Sequence, residues 1–173
     1  MNLKELVDFL MMDHNYLAIK NSNKSIGLVT GVFDLLHQGH LDFLKRANIR
    51  MGSLGGYLLI GVETDIRVKK LKGEDRPIEN EEIRVQKLRK TGLADMVFLL
   101  PEDFSSQQVR ADFLRMIKPT LLLVSASTPN LKKKKELVAE AGGSVEIIAQ
   151  HNPKYSTSQI IMKARQLFHL RGE

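Results

Sequence analysis

The sequence predicts an α/β protein built on a parallel sheet, and two observations carry that expectation. Five short, mostly apolar runs of four to six residues recur along the chain, the pattern of strands buried on both faces. Between them lie segments with helical spacing. Strands that alternate with helices are joined by right-handed crossovers and lie parallel.

Taken in order, Leu3, Leu6, Val7, Leu10 and Met11 follow the spacing of an amphipathic helix. Residues 1–24 are read as a helical extension and linker that packs on the main domain, with a homodimer contact as the alternative. Residues 25–173 form that domain. Ser25–Val29 is the first strand, and after His40 a helix with Leu41, Leu44 and Ala47 on one face runs to about Arg50. Gly52-Ser53-Leu54-Gly55-Gly56 ends it, and Tyr57–Val62 is the second strand. The basic stretch holding Arg67, Lys69, Lys70 and Lys72 reads as a solvated loop. Glu79 to Arg89 is a helix with acidic residues in its first turn and Gly92 just past its end. Met96–Leu100 is the third strand, Gln107–Lys118 a helix stopped by Pro119, and Thr120–Val124 the fourth strand. A helix opening at Lys132-Lys133-Lys134-Lys135, a strand Val145–Ile148 and a helix from about Thr157 to Leu170 complete the chain.

Thr30 to His40 is the strand-to-helix turn around which the rest is organised. Such turns lie at the carboxyl ends of the strands, where open α/β sheets bind ligands. Gly31 lets a ligand approach the backbone, and its neighbours' N–H groups can point at an anion. His37 and His40, with Gly39 between them, stand beside unpaired backbone donors and the positive end of a helix dipole. A polyphosphate suits this site. The same residues also fit a plain helix cap with two surface histidines. Structural zinc is disfavoured, because the chain has no cysteine and no carboxylate cluster nearby.

Gly31-Val-Phe-Asp-Leu-Leu-His-Gln-Gly-His-Leu-Asp-Phe-Leu closely resembles the signature of the cytidylyltransferase-like nucleotidyltransferases. That family includes glycerol-3-phosphate cytidylyltransferase, archaeal FAD synthetase and the adenylyltransferase that makes ADP-heptose. Ser156-Thr157-Ser158-Gln159-Ile160-Ile161 resembles the family's Ser-Thr-x-x-Ile-Ile element, and the likeness covers roughly residues 25 to 165.

The resemblance implies a Rossmann-like five-stranded sheet in the order 3-2-1-4-5, with helices on both faces. The switch point then falls between the first and fourth strands, bringing His37, His40 and Ser125 to one crevice. It implies that His37 and His40 act on a nucleoside triphosphate and that Lys69 holds a substrate phosphate. Gly31, Val32 and Phe33 would cradle the nucleotide phosphates, while Ser156, Thr157 and Ser158 would take the β and γ phosphates. Glu82-Ile83-Arg84 matches a Glu-x-Arg element whose arginine reaches phosphate. Asp34, Gly39, Asp65 and Ser125 complete the nucleotide-binding set. Magnesium would arrive with the triphosphate rather than in a protein metal site.

The reaction implied is transfer of AMP, or CMP, to a phosphorylated metabolite such as a sugar phosphate, releasing pyrophosphate. Leu71–Ile78 resembles the ADP-heptose-forming members most, which favours AMP. A cytidylyltransferase acting on a polyol phosphate and a nucleotide-binding module without turnover are the alternatives. One stretch departs from the family: Ser125-Ala126-Ser127-Thr128-Pro129-Asn130 stands where relatives carry a glycine followed by an acidic residue.

Composition sets the outer bounds. A net charge of +6 and a pI near 9.5 fit an anionic ligand. Nucleic acid is disfavoured as that ligand, since the chain has no Trp, three Tyr and no stacking-platform motif. No apolar run is long enough to span a membrane and the start lacks a signal-peptide pattern, so the cytoplasm is the expected location.

Overall fold

The computed structural model describes residues 1–150 together with Gln159, Ile161 and Met162. Five parallel strands form one sheet in the order β3-β2-β1-β4-β5. They are β1 (Ile26–Gly31), β2 (Tyr57–Val62), β3 (Met96–Leu99), β4 (Leu121–Ser125) and β5 (Ser144–Ala149). Seven helices surround them among the described residues: α1 (Leu3–Met12), α2 (His14–Asn21), α3 (Gln38–Ser53), α4 (Asp65–Lys72), α5 (Glu81–Lys90), α6 (Gln107–Ile117) and α7 (Leu131–Glu140).

Alternate residues of each strand feed two apolar layers. Leu28, Leu59, Phe98 and Leu122 pack on one face with Leu6, Leu10, Phe113, Leu114 and Val138 from α1, α6 and α7. Val29, Leu58, Ile60 and Leu123 pack on the other with Leu44, Ala47 and Met51 from α3 and Val85 and Leu88 from α5. The Rossmann-like arrangement with helices on both faces therefore stands, and the strand-to-helix turn from Thr30 to His40 belongs to the α3/α5 layer.

Two elements differ from the sequence expectation. The N-terminal segment is a pair of helices rather than a single one. α1 opens on a capping box between Asn2 and Glu5, and Asp13 both ends α1 and caps α2 by accepting from Tyr16 N. α2 buries Tyr16 and Ile19, too few positions to set a period. Leu6, Leu10, Tyr16 and Ile19 join the same apolar layer as the sheet, so this extension is part of the core.

The basic stretch after β2 is the helix α4, not a loop. Among its apolar residues only Val68 is buried; the other buried position is Arg67, a charge turned inward. Tertiary partners for that guanidinium hold a helix that amphipathic spacing does not announce.

One close approach sets the site. A Cβ on Gly27 would lie 2.5 Å from Met51 Sδ. The end of α3 thus rests close on the start of β1, and the helix, which follows the strand directly, begins beside its carboxyl end.

Candidate active site

β1 ends at Gly31, and the chain turns through Phe33 and Leu35, both in the left-handed region with φ of 55° and 50°. Non-glycine residues held there cost free energy that the surroundings must offset. The buried Phe33 ring folds back over Gly31, where a Cβ would come within 3.0 Å of it.

His37 is the N-cap of α3, and its Nδ1 accepts a long hydrogen bond of 3.4 Å from the His40 backbone N–H. An accepting Nδ1 leaves the proton of a neutral ring on Nε2. The two imidazoles stack with centroids 3.8 Å apart and planes 17° from parallel, and the Phe33 ring meets His40 edge-on at 5.4 Å. Burial pushes His40 down to about 4, with repulsion from His37 and Lys72 adding to it and Asp34 opposing. Burial also lowers His37. His40 is therefore neutral at pH 7, and its buried Nδ1 has no hydrogen-bond partner among the described residues. The pair presents uncharged imidazoles, and an arriving polyanion would favour their protonated form, with the proton taken from solvent.

Asp34 is 1 % exposed and serves as a clasp. Its carboxylate accepts from Arg76 Nη2 at 2.6 Å and Nε at 3.0 Å, and from the backbone N–H groups of Ile78 and Glu79 at 3.0 Å. Burial pushes its pKa up, but the Glu79 and Ile78 N–H groups and Arg76 outweigh that and hold it below the ordinary value. The phosphate turn is thereby tied to the segment before α5, which contains the cis Arg76–Pro77 peptide.

Arg84 is fully buried. Its Nη1 donates to Val32 O at 2.6 Å, its Nη2 to Asp65 Oδ1 at 2.6 Å and its Nε to Glu79 O at 3.0 Å. Each nitrogen of the fork is thus engaged by protein. Asp65 is anchored in turn, its backbone N–H donating to Glu81 Oε2 at 2.6 Å. Arg84 is neither on a solvated helix face nor open to phosphate here; it holds the carbonyl of the phosphate turn.

Lys69 is exposed on the last turn of α4, with Gly73 N–H donating to its carbonyl. Lys72, three residues on, is also exposed as a residue, yet it interacts electrostatically with His40, Arg76, Asp34 and Arg84. Burial, then Arg76, lowers its pKa. The structure thus brings Lys72 toward the histidine pair. Gly39 lies in the first turn of α3. Ser125 ends β4 at a register shift against β5, with its Oγ 3.1 Å from Ser127 Oγ. Ser156, Thr157 and Ser158 lie outside the described residues. Nothing local in the sequence marks Arg76 as the partner of Asp34, 42 positions away.

An open apolar hollow of about 310 Å³ lies elsewhere, between Met1 and Phe9 at the start of the chain, Val85 and Arg89 of α5, and Phe98. It contains none of the histidine, glycine or lysine positions above.

The fold, with stacked histidines at the start of α3, places the chain among the Rossmann-like α/β proteins. The chain belongs to the cytidylyltransferase-like family, whose model matches residues 28–163. Among curated relatives it is 32% identical over 149 residues to the bifunctional protein HldE of Helicobacter pylori strain G27, covering 86% of this chain. It is 34% identical over 152 residues to HldE of Pelobacter propionicus, covering 87% of this chain. In both cases the chain spans 29% of the relative's length. Among solved structures, the lipopolysaccharide core biosynthesis protein of Thermoplasma volcanium superimposes with TM-score 0.56 at 22% identity, covering 75% of this chain and 98% of that one. Pantoate-beta-alanine ligase of Francisella tularensis gives 0.59 at 14% identity, covering 99% and 78%. At these identities both speak for the fold alone.

Proposed function

We propose that this chain transfers AMP, with CMP as the second choice, from a nucleoside triphosphate to a phosphorylated metabolite of the sugar-phosphate class. The observation that carries this reading is the His37/His40 stack at the start of α3, beside Gly31–Phe33 at the carboxyl end of β1. An acceptor phosphate oxygen attacks the α-phosphorus in line; a new P–O bond forms, the α–β P–O bond breaks, and pyrophosphate leaves. Such chemistry asks the protein for position and for charge stabilisation. His37 Nε2–H and the His40 ring donate to the phosphoryl oxygens. The Gly31–Phe33 backbone cradles the phosphates, and Lys72, with Lys69 outside it, faces the acceptor phosphate. Asp34, Asp65 and Arg84 keep the turn in place.

Magnesium would come with the triphosphate and offset its charge. Among the described residues there is no group of three or more His, Asp or Glu side chains that could hold a metal ion. No described helix is long and apolar enough to cross a membrane; a cytoplasmic location is part of the proposal.

Pyrophosphate release, measured for ATP and CTP against a panel of sugar and polyol phosphates, tests the reading. Turnover with ATP and a sugar phosphate is expected. Triphosphate binding with no turnover on any pair would convert the proposal to a nucleotide-binding module, which the altered 125–130 segment favours.

A further inference from the structure

On the opposite face of the sheet rim from the histidines lies a second group of charges. Glu63 follows β2 and is joined to the phosphate turn by its backbone, its N–H donating to Gly31 O at 2.9 Å. Its carboxylate, with a side chain only 12% exposed, accepts from Arg67 Nε. Arg67 also donates to Ser105 Oγ and lies over the Phe104 ring at 5.8 Å. Arg110, on α6, comes to the same loop and donates from Nε to Phe104 O at 2.6 Å and from Nη2 to Ser105 O at 2.9 Å. Lys134, on α7, donates to Thr128 Oγ1 at 2.9 Å.

Within the run of four lysines at 132–135, three are exposed, as a solvated face requires, whereas Lys134 is half-buried. Its neighbours there are cations as well as Glu63. Burial and then Arg110 push Lys134 down; burial and then Arg67 push Arg110 down; burial pushes Glu63 up against the pull of Arg67, Arg110 and Lys134. Three cations thus share one carboxylate, and that carboxylate is hydrogen-bonded to Arg67 alone among the described residues. Gathering like charges out of water is unfavourable unless an anion joins them.

The position adds chemistry. Thr128 belongs to the segment after β4, which reads Ser125-Ala126-Ser127-Thr128 and holds no carboxylate. The segment offers hydroxyls, and the ammonium of Lys134 donates to that of Thr128. These cationic and hydroxyl donors suit a negative group.

We propose that Arg110 and Lys134, backed by Arg67, form a second anion subsite for the acceptor, which carries a negative group in addition to the phosphate that reacts. The inference rests on the nucleotidyltransferase reading and narrows its substrate class to phosphorylated acids or bisphosphates. The triphosphate occupies the His37/His40 side, the reacting phosphate lies between, and the additional carboxylate or phosphate reaches across the rim to the α6/α7 side.

Calorimetric titration of the full chain saturated with Mg²⁺ and the α,β-methylene analogue of ATP tests this. The probes are glycerol 3-phosphate, 3-phosphoglycerate and glycerol 1,3-bisphosphate, which carry no additional negative group, a carboxylate and a second phosphate in turn. At least one doubly anionic probe should bind about tenfold or more tighter than glycerol 3-phosphate, the scale of one charge-assisted contact. Preference between the two tells a carboxylate from a phosphate. The gain should vanish in K134Q and R110Q and persist in K134R, which keeps the charge. Equal binding of all three probes, no binding of any, or a gain that survives K134Q overturns the subsite. A K134Q chain with weakened affinity for the ATP analogue also overturns it, because the cluster then serves the triphosphate. Analogue binding by the wild-type chain with no gain sinks the subsite alone, whereas a chain that does not bind the analogue sinks the nucleotide reading with it.

Discussion

The guanidinium of Arg84 reaches across from α5 to the carbonyl of Val32 at 2.6 Å and is itself fully shielded from water. The phosphate turn is thus held from behind by a residue 52 positions later in the chain. With Asp65 Oδ1 and Glu79 O as its further acceptors, one side chain ties β1, α4 and α5 together below the rim.

Removing that fork leaves a partly buried carboxylate and two carbonyls without their donor. R84A should lose about 3 kcal/mol or more of stability, and R84K should recover little, because one ammonium cannot reproduce a planar fork. Urea unfolding measures the loss. The folded fraction should also bind triphosphate more weakly, since the turn is no longer pinned. An R84A midpoint equal to wild type would show that these three contacts do not hold the turn.

Asp34 makes a separate prediction. Its pKa is held below the ordinary value of 3.8, so the unfolded chain takes up this proton at higher pH than the folded one. The clasp therefore contributes in full above that value and is lost as pH falls through the folded pKa. D34N removes the charge from the Arg76 pair and should cost about 2–4 kcal/mol at pH 7. As pH falls below 3.8 and through the folded pKa, the gap between D34N and wild type should narrow. A gap independent of pH would mean that charge plays no part.

His40 works in the opposite sense. Its folded pKa is about 4 against 6.5 for the free side chain, so between those values the unfolded state binds more protons. Stability is complete above 6.5 and declines as pH falls toward 4, by an amount on the order of 3 kcal/mol. H40Q should flatten that decline in a series of thermal melts, leaving the smaller part due to His37. Pyrophosphate release by H40A should fall by roughly two decades at pH 7. Turnover within about twofold of wild type would remove His40 from the charge-stabilising role.

The two lysines of α4 can be told apart. K72Q should lower kcat/KM for the phosphorylated acceptor about tenfold or more, and by more than K69Q does, because Lys72 is the one that interacts with His40 and Asp34. Steady-state kinetics at saturating triphosphate measures both. Equal losses, or a larger loss for K69Q, would return the substrate-phosphate role to Lys69.

The strands, the phosphate turn and the identity of the histidine pair were legible in the sequence because each is a local pattern. An apolar run such as Leu58-Leu59-Ile60 declares a buried strand by itself, and Gly31 to His40 puts glycine, turn and imidazoles within ten residues. α4 was not legible, since a helix that buries Val68 and an ion-paired Arg67 shows no apolar stripe. The contacts of Arg84 were not legible for a related reason: the family resemblance implied a phosphate for it, while Val32, Asp65 and Glu79, which take its donors in the fold, lie far off or outside any spacing rule. Asp34 and Arg76, or Glu63, Arg110 and Lys134, are separated by loops and whole helices, and no spacing rule relates them. Hydrophobic period is written along the chain, but the pairing of buried charges depends on which elements the sheet brings to the same end. That is settled only when desolvation makes each buried charge find a partner in three dimensions.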